Sequence, residues 1–176
     1  MKRKNVKEEM KKYFFINPTI RLRVRQIERM LGLPLPSIIR YCKELEGEGV
    51  LKKTEIAGIQ TYSADRTSRK YLIEKRLSNI KLIFDSGLID FLIRDYSNPA
   101  IVLFGSYSKG EDIEGSDIDL YIQTSSKKQI KLENFEKLLK RKIQLFVHSS
   151  LKQIGNHHLA NNIINGITLN GFLEVF

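Results

Sequence analysis

Cysteine is nearly absent from this chain, and so is everything cysteine would bring. Cys42 is the single example, which excludes an internal disulfide; it falls on the apolar side of an expected helix and reads as a small core residue. Three histidines and one cysteine show no zinc-type ligand spacing. His157 and His158 are neighbours, and adjacent residues on a helix face different ways, so they read as surface or hydrogen-bonding residues. No apolar run approaches the length of a membrane span. The basic Met1-Lys2-Arg3-Lys4 is not followed by the apolar segment of a secretory signal, so a cytoplasmic protein with no membrane partner is expected. Neither the G-x-G-x-x-G nor the P-loop glycine fingerprint is present. No internal repeat or low-complexity tract stands out.

What the chain does have is an uneven charge. Its 176 residues are enough for one medium domain or two small ones, and an apolar content of 41% excludes a disordered protein. The net charge is +10. Residues 1–76 carry 19 Lys/Arg against 9 Asp/Glu, whereas residues 77–176 carry 11 of each. The whole excess therefore lies in the first part, the pattern of a polyanion-binding module joined to something neutral.

Hydrophobic spacing in that basic part predicts helices over 6–15, 24–31 and 37–48. Met10, Tyr13 and Phe14 are the expected apolar side of the first, and Val24, Ile27, Met30 and Leu31 that of the second. Asn17-Pro18 and Gly32-Leu33-Pro34 separate them. In the third helix Ile38, Cys42 and Leu45 form the inward stripe, with Ser37, Arg40, Tyr41 and Glu44 opposite. Residues 49–55 and 59–63 read as two strands around Ala57-Gly58, a hairpin. Residues 6–66 resemble the winged helix-turn-helix domains of prokaryotic transcription regulators. That resemblance implies double-stranded DNA as a partner. Ser37, Arg40, Tyr41 and Lys43 would then enter the major groove, and Lys52, Lys53 and the hairpin tip would reach phosphates. Arg21, Arg23 and Arg25, clustered at the second helix, could reach the backbone as well.

Residues 69–84 carry Leu72, Ile73, Leu77, Ile80, Ile83 and Phe84 at helical spacing, which predicts a helix that serves either as a connector or as the dimerisation arm of a homodimer. A further helix is expected over 88–96. The apolar Ala100 to Phe104 run then ends in Gly105-Ser106, and ten residues intervene before Asp117-Ile118-Asp119. If a strand begins there, its alternation puts Asp117 and Asp119 on one face. Two carboxylates so placed repel each other unless a cation lies between them, and hard oxygen ligands suit Mg²⁺ held against phosphates. Gly105 and Ser106 offer phosphates a close backbone approach and a hydroxyl. In the loop between, Glu111, Asp112 and Glu114 read as solubilising residues. A helix over 132–139, with Leu132, Phe135, Leu138 and Leu139 inward, and a strand over 142–147 follow.

Gly-Ser, ten residues, then Asp-x-Asp is similar to the signature of the DNA polymerase beta-type nucleotidyltransferases, in particular the minimal nucleotidyltransferase group. Gly105-Ser106-Tyr107-Ser108-Lys109-Gly110-Glu111, Gly115-Ser116-Asp117-Ile118-Asp119-Leu120 and Asn165-Gly166-Ile167-Thr168-Leu169-Asn170-Gly171 extend the likeness over residues 88–176. The expected fold is α/β: a mixed sheet of the nucleotidyltransferase type over 88–176, a helical connector over 67–87 and a winged helix over 1–66. The resemblance implies that Asp117 and Asp119 hold Mg²⁺ (or Mn²⁺) on a nucleoside triphosphate, taken to be ATP. Gly105, Ser106 and Lys109 would bind its phosphates. A third carboxylate is normal in that family on a later strand, and here the position falls on Gln144, neutral and a poor base. His148 is expected on the same face as Gln144 and could serve as a base instead. Two readings stay open: a transferase that moves a nucleoside monophosphate to an acceptor hydroxyl, with a partner protein as one acceptor class, or a DNA-binding regulator whose transferase fold only senses nucleotide or docks a partner.

Overall fold

The computed structural model describes residues 5–175; residues 1–4 of the basic lead and residue 176 lie outside the described residues. The chain divides into two compact units after Ser78.

In the N-terminal unit, helix α1 (Val6–Ile16) is capped by Asn5, whose side chain accepts from the Glu8 N–H at 3.4 Å. Helix α2 (Val24–Leu31) ends where Gly32 turns left-handed. Helix α3 (Leu35–Gly47) starts on Pro34 and Pro36, where a missing N–H costs nothing. Ile38, Cys42 and Leu45 form its fully buried stripe and meet Met10 and Phe14 of α1 and Ile27 of α2. Each such burial contributes about 1.5–3 kcal/mol. Strands β1 (Leu51–Ile56) and β2 (Ile59–Ala64) pair antiparallel from Leu51↔Ala64 to Ile56↔Ile59. Their two-residue turn has both central residues left-handed, Ala57 at φ 49° and Gly58 at φ 74°, the geometry that suits the twist of a hairpin. Leu22 bridges Tyr62 through two backbone bonds of 2.9 and 2.8 Å, adding a one-residue third strand. Met30, expected inward, is 52% exposed instead; α2 turns only Ile27 fully into the core, and Met30 lies at the surface, where its sulfur accepts from the Tyr13 hydroxyl at 3.3 Å.

Helix α4 (Arg69–Asp85) spans the division between the units. Its apolar spacing misplaces its buried side. Tyr71, Lys75, Asn79 and Ile83, four residues apart, are buried, whereas Ile73, Leu77 and Phe84 are exposed. Burial of Asn79 is tolerated because its amide donates to the Tyr107 carbonyl at 2.9 Å and to the Asp112 carboxylate at 2.8 Å.

The C-terminal unit is built on a four-stranded mixed sheet. Helix α5 (Leu88–Asp95) leads to strand β3 (Ala100–Phe104), the short helix α6 (Gly105–Lys109) and strand β4 (Ile118–Gln123). Helix α7 (Glu133–Leu139), strand β5 (Ile143–His148), a single 3₁₀ turn (Leu151–Gln153), helix α8 (His157–Ile164) and strand β6 (Ile167–Asn170) complete it. The strand order is β5-β4-β3-β6; β4 and β5 run parallel, and β3 runs antiparallel to both β4 and β6. Alternation sends Ile101, Leu103, Leu120 and Ile122 to one face, where Ile83, Leu88, Ile89 and Leu92 cover them. Val102, Phe104 and Tyr121 face the other way and pack against Leu151, Ile154 and Ile163. Leu138, expected inward on α7, is 64% exposed; the next residue, Leu139, is the one the core takes. Among the described residues no helix is long and apolar enough to cross a membrane.

Candidate functional site

One end of the sheet gathers the chemistry. Because β3 and β4 are antiparallel, the last residue of β3, Phe104, pairs with Asp119 near the start of β4. Because β4 and β5 are parallel, Asp119 pairs on its other side with Gln144. Gly105 follows directly, left-handed at φ 72°, and turns the chain into α6. A Cβ on Gly105 would overlap the Asp119 carboxylate, so only glycine lets the turn and the acid share the space. Ser106 is half-buried beside that turn, and Gly110, left-handed at φ 75°, closes α6. Gly105, Ser106, Asp119 and Gln144 therefore meet at one edge, with Asp117 two residues before Asp119 and exposed.

The electrostatics at that edge are unfavourable as they stand. Burial raises the Asp119 carboxyl above its ordinary range, and the Asp117 charge adds to the rise. Nothing cationic is among the causes that act on it. A divalent ion would relieve that repulsion, and Mg²⁺ accepts one or two protein carboxylates when phosphates complete its shell. Among the described residues no group of three His, Cys, Asp or Glu is placed to hold a metal ion. The pair of aspartates is thus the acidic complement of the site, with the amide of Gln144 at the adjoining position.

The loop from α6 to β4, which delivers Asp117, is anchored underneath. Asp112 is 1% exposed and not the solubilising residue its composition indicates. Its carboxylate accepts from the Asn79 amide and lies 3.4 Å from the guanidinium of Arg141, itself 8% exposed. Ser116 closes the other end of the loop, accepting from the Ile113 N–H at 2.9 Å. A cavity of about 450 Å³ opens on Asp117's side, lined by residues 114–117, Glu133, Glu136, Lys137 and Lys140–Lys142 of the neighbouring elements. Asn79, Asp112 and Arg141 are the supporting residues that sequence reasoning missed. Burial of a polar side chain inside an apolar helix pattern leaves no periodic signal, and a buried Asp in a polar loop leaves none at all.

Lys109 is exposed in the last turn of α6. His148 does not reach the carboxylates. It pairs with Gln123, four residues beyond the Asp119–Gln144 pair, so about 13 Å along the strand separates them. There its ring stacks on Tyr121 with centroids 6.0 Å apart. Facing the same way as Gln144 is not the same as sharing its end of the strand. His157 and His158 are exposed in the first turn of α8, where Asn156 caps the helix by accepting from the N–H groups of His158 and Leu159.

In the N-terminal unit, Arg40 and Lys43 are exposed on α3, and Ser37 and Tyr41 half-buried there. The Arg40 guanidinium lies 4.5 Å from the Tyr41 ring centre and donates to its hydroxyl at 2.6 Å. Lys52 and Lys53 are exposed on β1, and Arg21, Arg23 and Arg25 before and within α2 are exposed too.

No curated protein and no solved structure matches the chain. Among protein families, residues 86–165 match the nucleotidyltransferase domain, and the mixed sheet, with Asp119 on β4 and with Gly105 and Asp117 next to the ends of its strands, is consistent with that fold.

Proposed function

We propose that the C-terminal unit binds a nucleoside triphosphate with Mg²⁺ or Mn²⁺ and transfers its nucleoside monophosphate to an acceptor hydroxyl, ATP being the expected donor and a partner protein one class of acceptor. The observation that carries this reading is the meeting of the Gly105 turn with the Asp119 carboxylate at the end of the sheet. Gly105 and Ser106 would hold phosphate oxygens through a hydroxyl and backbone N–H groups, and exposed Lys109 would add a charge for the triphosphate. Asp117 and Asp119 would hold the metal, which supplies charge neutralisation for the triphosphate and for the leaving pyrophosphate. In the transfer itself the acceptor oxygen bonds to the α-phosphorus, the bond to the pyrophosphate breaks, and the acceptor proton passes to solvent. Gln144 can orient the acceptor by a hydrogen bond but takes no proton. The N-terminal unit, in this proposal, is a winged helix that holds duplex DNA through α3 and the β1–β2 hairpin; its three helices, hairpin and basic charge support that reading.

A second reading has a specific observation in its favour: an amide, not an acid, stands in register with Asp119. In that case the unit binds nucleotide without transferring it, and the protein is a DNA-binding regulator. Incubation with labelled nucleoside triphosphates, Mg²⁺ and cell extract, beside Asp117→Asn/Asp119→Asn, separates the two. Label on an acceptor that vanishes in the variant supports transfer. Saturable nucleotide binding without label supports the sensor. Neither label nor binding overturns both.

A further inference from the structure

The N-terminal unit holds a second hollow, of about 430 Å³, at the base of the hairpin. Pro18, Thr19 and Arg21 line it from the α1–α2 connection, Lys52 from β1, Ser63 and Ala64 from the end of β2, and Arg66 and Thr67 from the turn that follows. Three of the lining residues are cationic and three carry hydroxyls, and no carboxylate is among them. Arg21, Lys52 and Arg66 are exposed, and no ion pair of theirs is found among the described residues. Asp65, next to Arg66 in the sequence, accepts from the hydroxyl of the lining residue Thr67 at 2.8 Å. The floor is buried: Ser63 and Ala64 are 6% and 2% exposed, and the Leu22–Tyr62 bridge ties the connection to β2 beside them.

Cations held around a hollow with no acid between them repel one another, and an anion placed there turns that repulsion into attraction. Two guanidiniums suit a tetrahedral oxyanion, whose oxygens they can engage in pairs, better than a single carboxylate. The hollow lies at the Lys52↔Ser63 pair, four register pairs from the Ile56↔Ile59 pair at the hairpin tip, or about 13 Å. It is therefore away from the hairpin tip, although Lys52 belongs both to the hollow and to the face that the proposed DNA-binding reading uses.

We infer that this hollow is a binding site for a phosphate group, held by Arg21, Lys52 and Arg66 with hydroxyls from its rim. The inference does not depend on nucleotidyl transfer by the other unit. The phosphate could come from a free phosphomonoester or from a nucleic-acid backbone, and the two sources can be told apart by experiment.

The full ¹⁵N-labelled chain is titrated with inorganic phosphate at constant ionic strength, with chloride as the matched control. The expected result is saturable shifts confined to the amides of Thr19, Lys52 and Thr67, absent with chloride, and an affinity weakened at least tenfold in Arg21→Gln/Arg66→Gln. Both substituted residues are exposed, so retention of the wild-type spectrum elsewhere confirms folding. Shifts that grow linearly with phosphate, spread evenly over the basic residues, or persist in the double variant overturn the site. A non-specific duplex forms the second arm. If phosphate displaces the duplex from Thr19 and Thr67, the source is a backbone. If duplex shifts at Arg40 and Lys43 persist while the hollow stays saturated with phosphate, the source is a free phosphate ester. In either arm the site itself stands only if the first titration saturates.

Discussion

At the scale of single residues, the end of the sheet turns on what stands at positions 105 and 144. Gly105 is left-handed and its missing side chain is the space the Asp119 carboxylate fills. Gly105→Ala is therefore expected to weaken nucleotide binding at least tenfold and to lower stability by about 1–2 kcal/mol from left-handed strain alone. Calorimetric titration with a non-hydrolysable triphosphate and urea unfolding measure the two effects separately. Gln144 makes the opposite case, because it is already in register with Asp119. Gln144→Asp places an acid beside the existing pair, so tighter Mg²⁺ binding is expected. If transfer is the activity, a proton acceptor there raises label incorporation by about 10²-fold or more. Unchanged cation affinity by calorimetry would show that position 144 does not face the metal. Cys42 offers a residue-scale probe of the other unit. Burial and the Glu46 charge push its thiol up to about 12. At pH 8 the folded thiolate is then about one molecule in 10⁴, and alkylation is expected to run ~10³-fold slower than for an unfolded chain. The folded state holds this proton more tightly than the unfolded one, so stability falls as pH rises from the ordinary thiol range toward 12.

At the scale of elements, two short segments decide more than their length implies. The hairpin turn puts Ala57, a residue with a Cβ, at φ 49°. Asn tolerates that region better and is preferred before Gly in this turn, so Ala57→Asn is expected to stabilise the N-terminal unit by about 0.5–1 kcal/mol, read by thermal unfolding. The α6–β4 loop rests on Asp112 against Asn79 and Arg141. Asp112→Ala leaves the Arg141 guanidinium buried without that acid, and removal of one partner of a buried pair costs about 3–5 kcal/mol. Urea unfolding of the variant checks this, and its nucleotide affinity reports whether the loop still delivers Asp117. Legibility in the sequence divides along the same lines. The three N-terminal helices, the hairpin and the β3–Gly-Ser–β4 core were readable, because each is written in local spacing and turn chemistry. The inward side of α4 was not. Its apolar residues predict one face, but the hydrogen bonds that Asn79 donates to Tyr107 and Asp112, far along the chain, select another. Met30 and Leu138 fail for a related reason: a short helix presents few positions to its core, and periodicity does not say which apolar residue at the stripe's border is left out. Alternation puts His148 on the face of Gln144, but four residues further along the same strand carry it about 13 Å from the carboxylates, too far to serve them as a base.

At the scale of the whole molecule, the charge is partitioned as sharply as the fold. The excess of ten positive charges belongs to residues 1–76, while residues 77–176 balance. If the N-terminal unit holds duplex DNA, its affinity must carry the salt dependence of counterion release, and the C-terminal unit must not contribute. Arg40, Lys43, Lys52 and Lys53 are the exposed cations on the proposed face. Four phosphate contacts give a slope of log affinity against log salt of about −4, hence a loss of roughly 10²-fold between 50 and 200 mM salt. Arg40→Gln/Lys43→Gln is expected to reduce the slope by about 2. Lys137→Gln/Lys140→Gln removes two exposed cations from the other unit and is expected to leave it unchanged. Fluorescence anisotropy of a labelled duplex across a salt series measures all three slopes. An equal change in the two double variants would mean that the duplex senses net charge alone, and the basic unit would then have no face of its own for DNA.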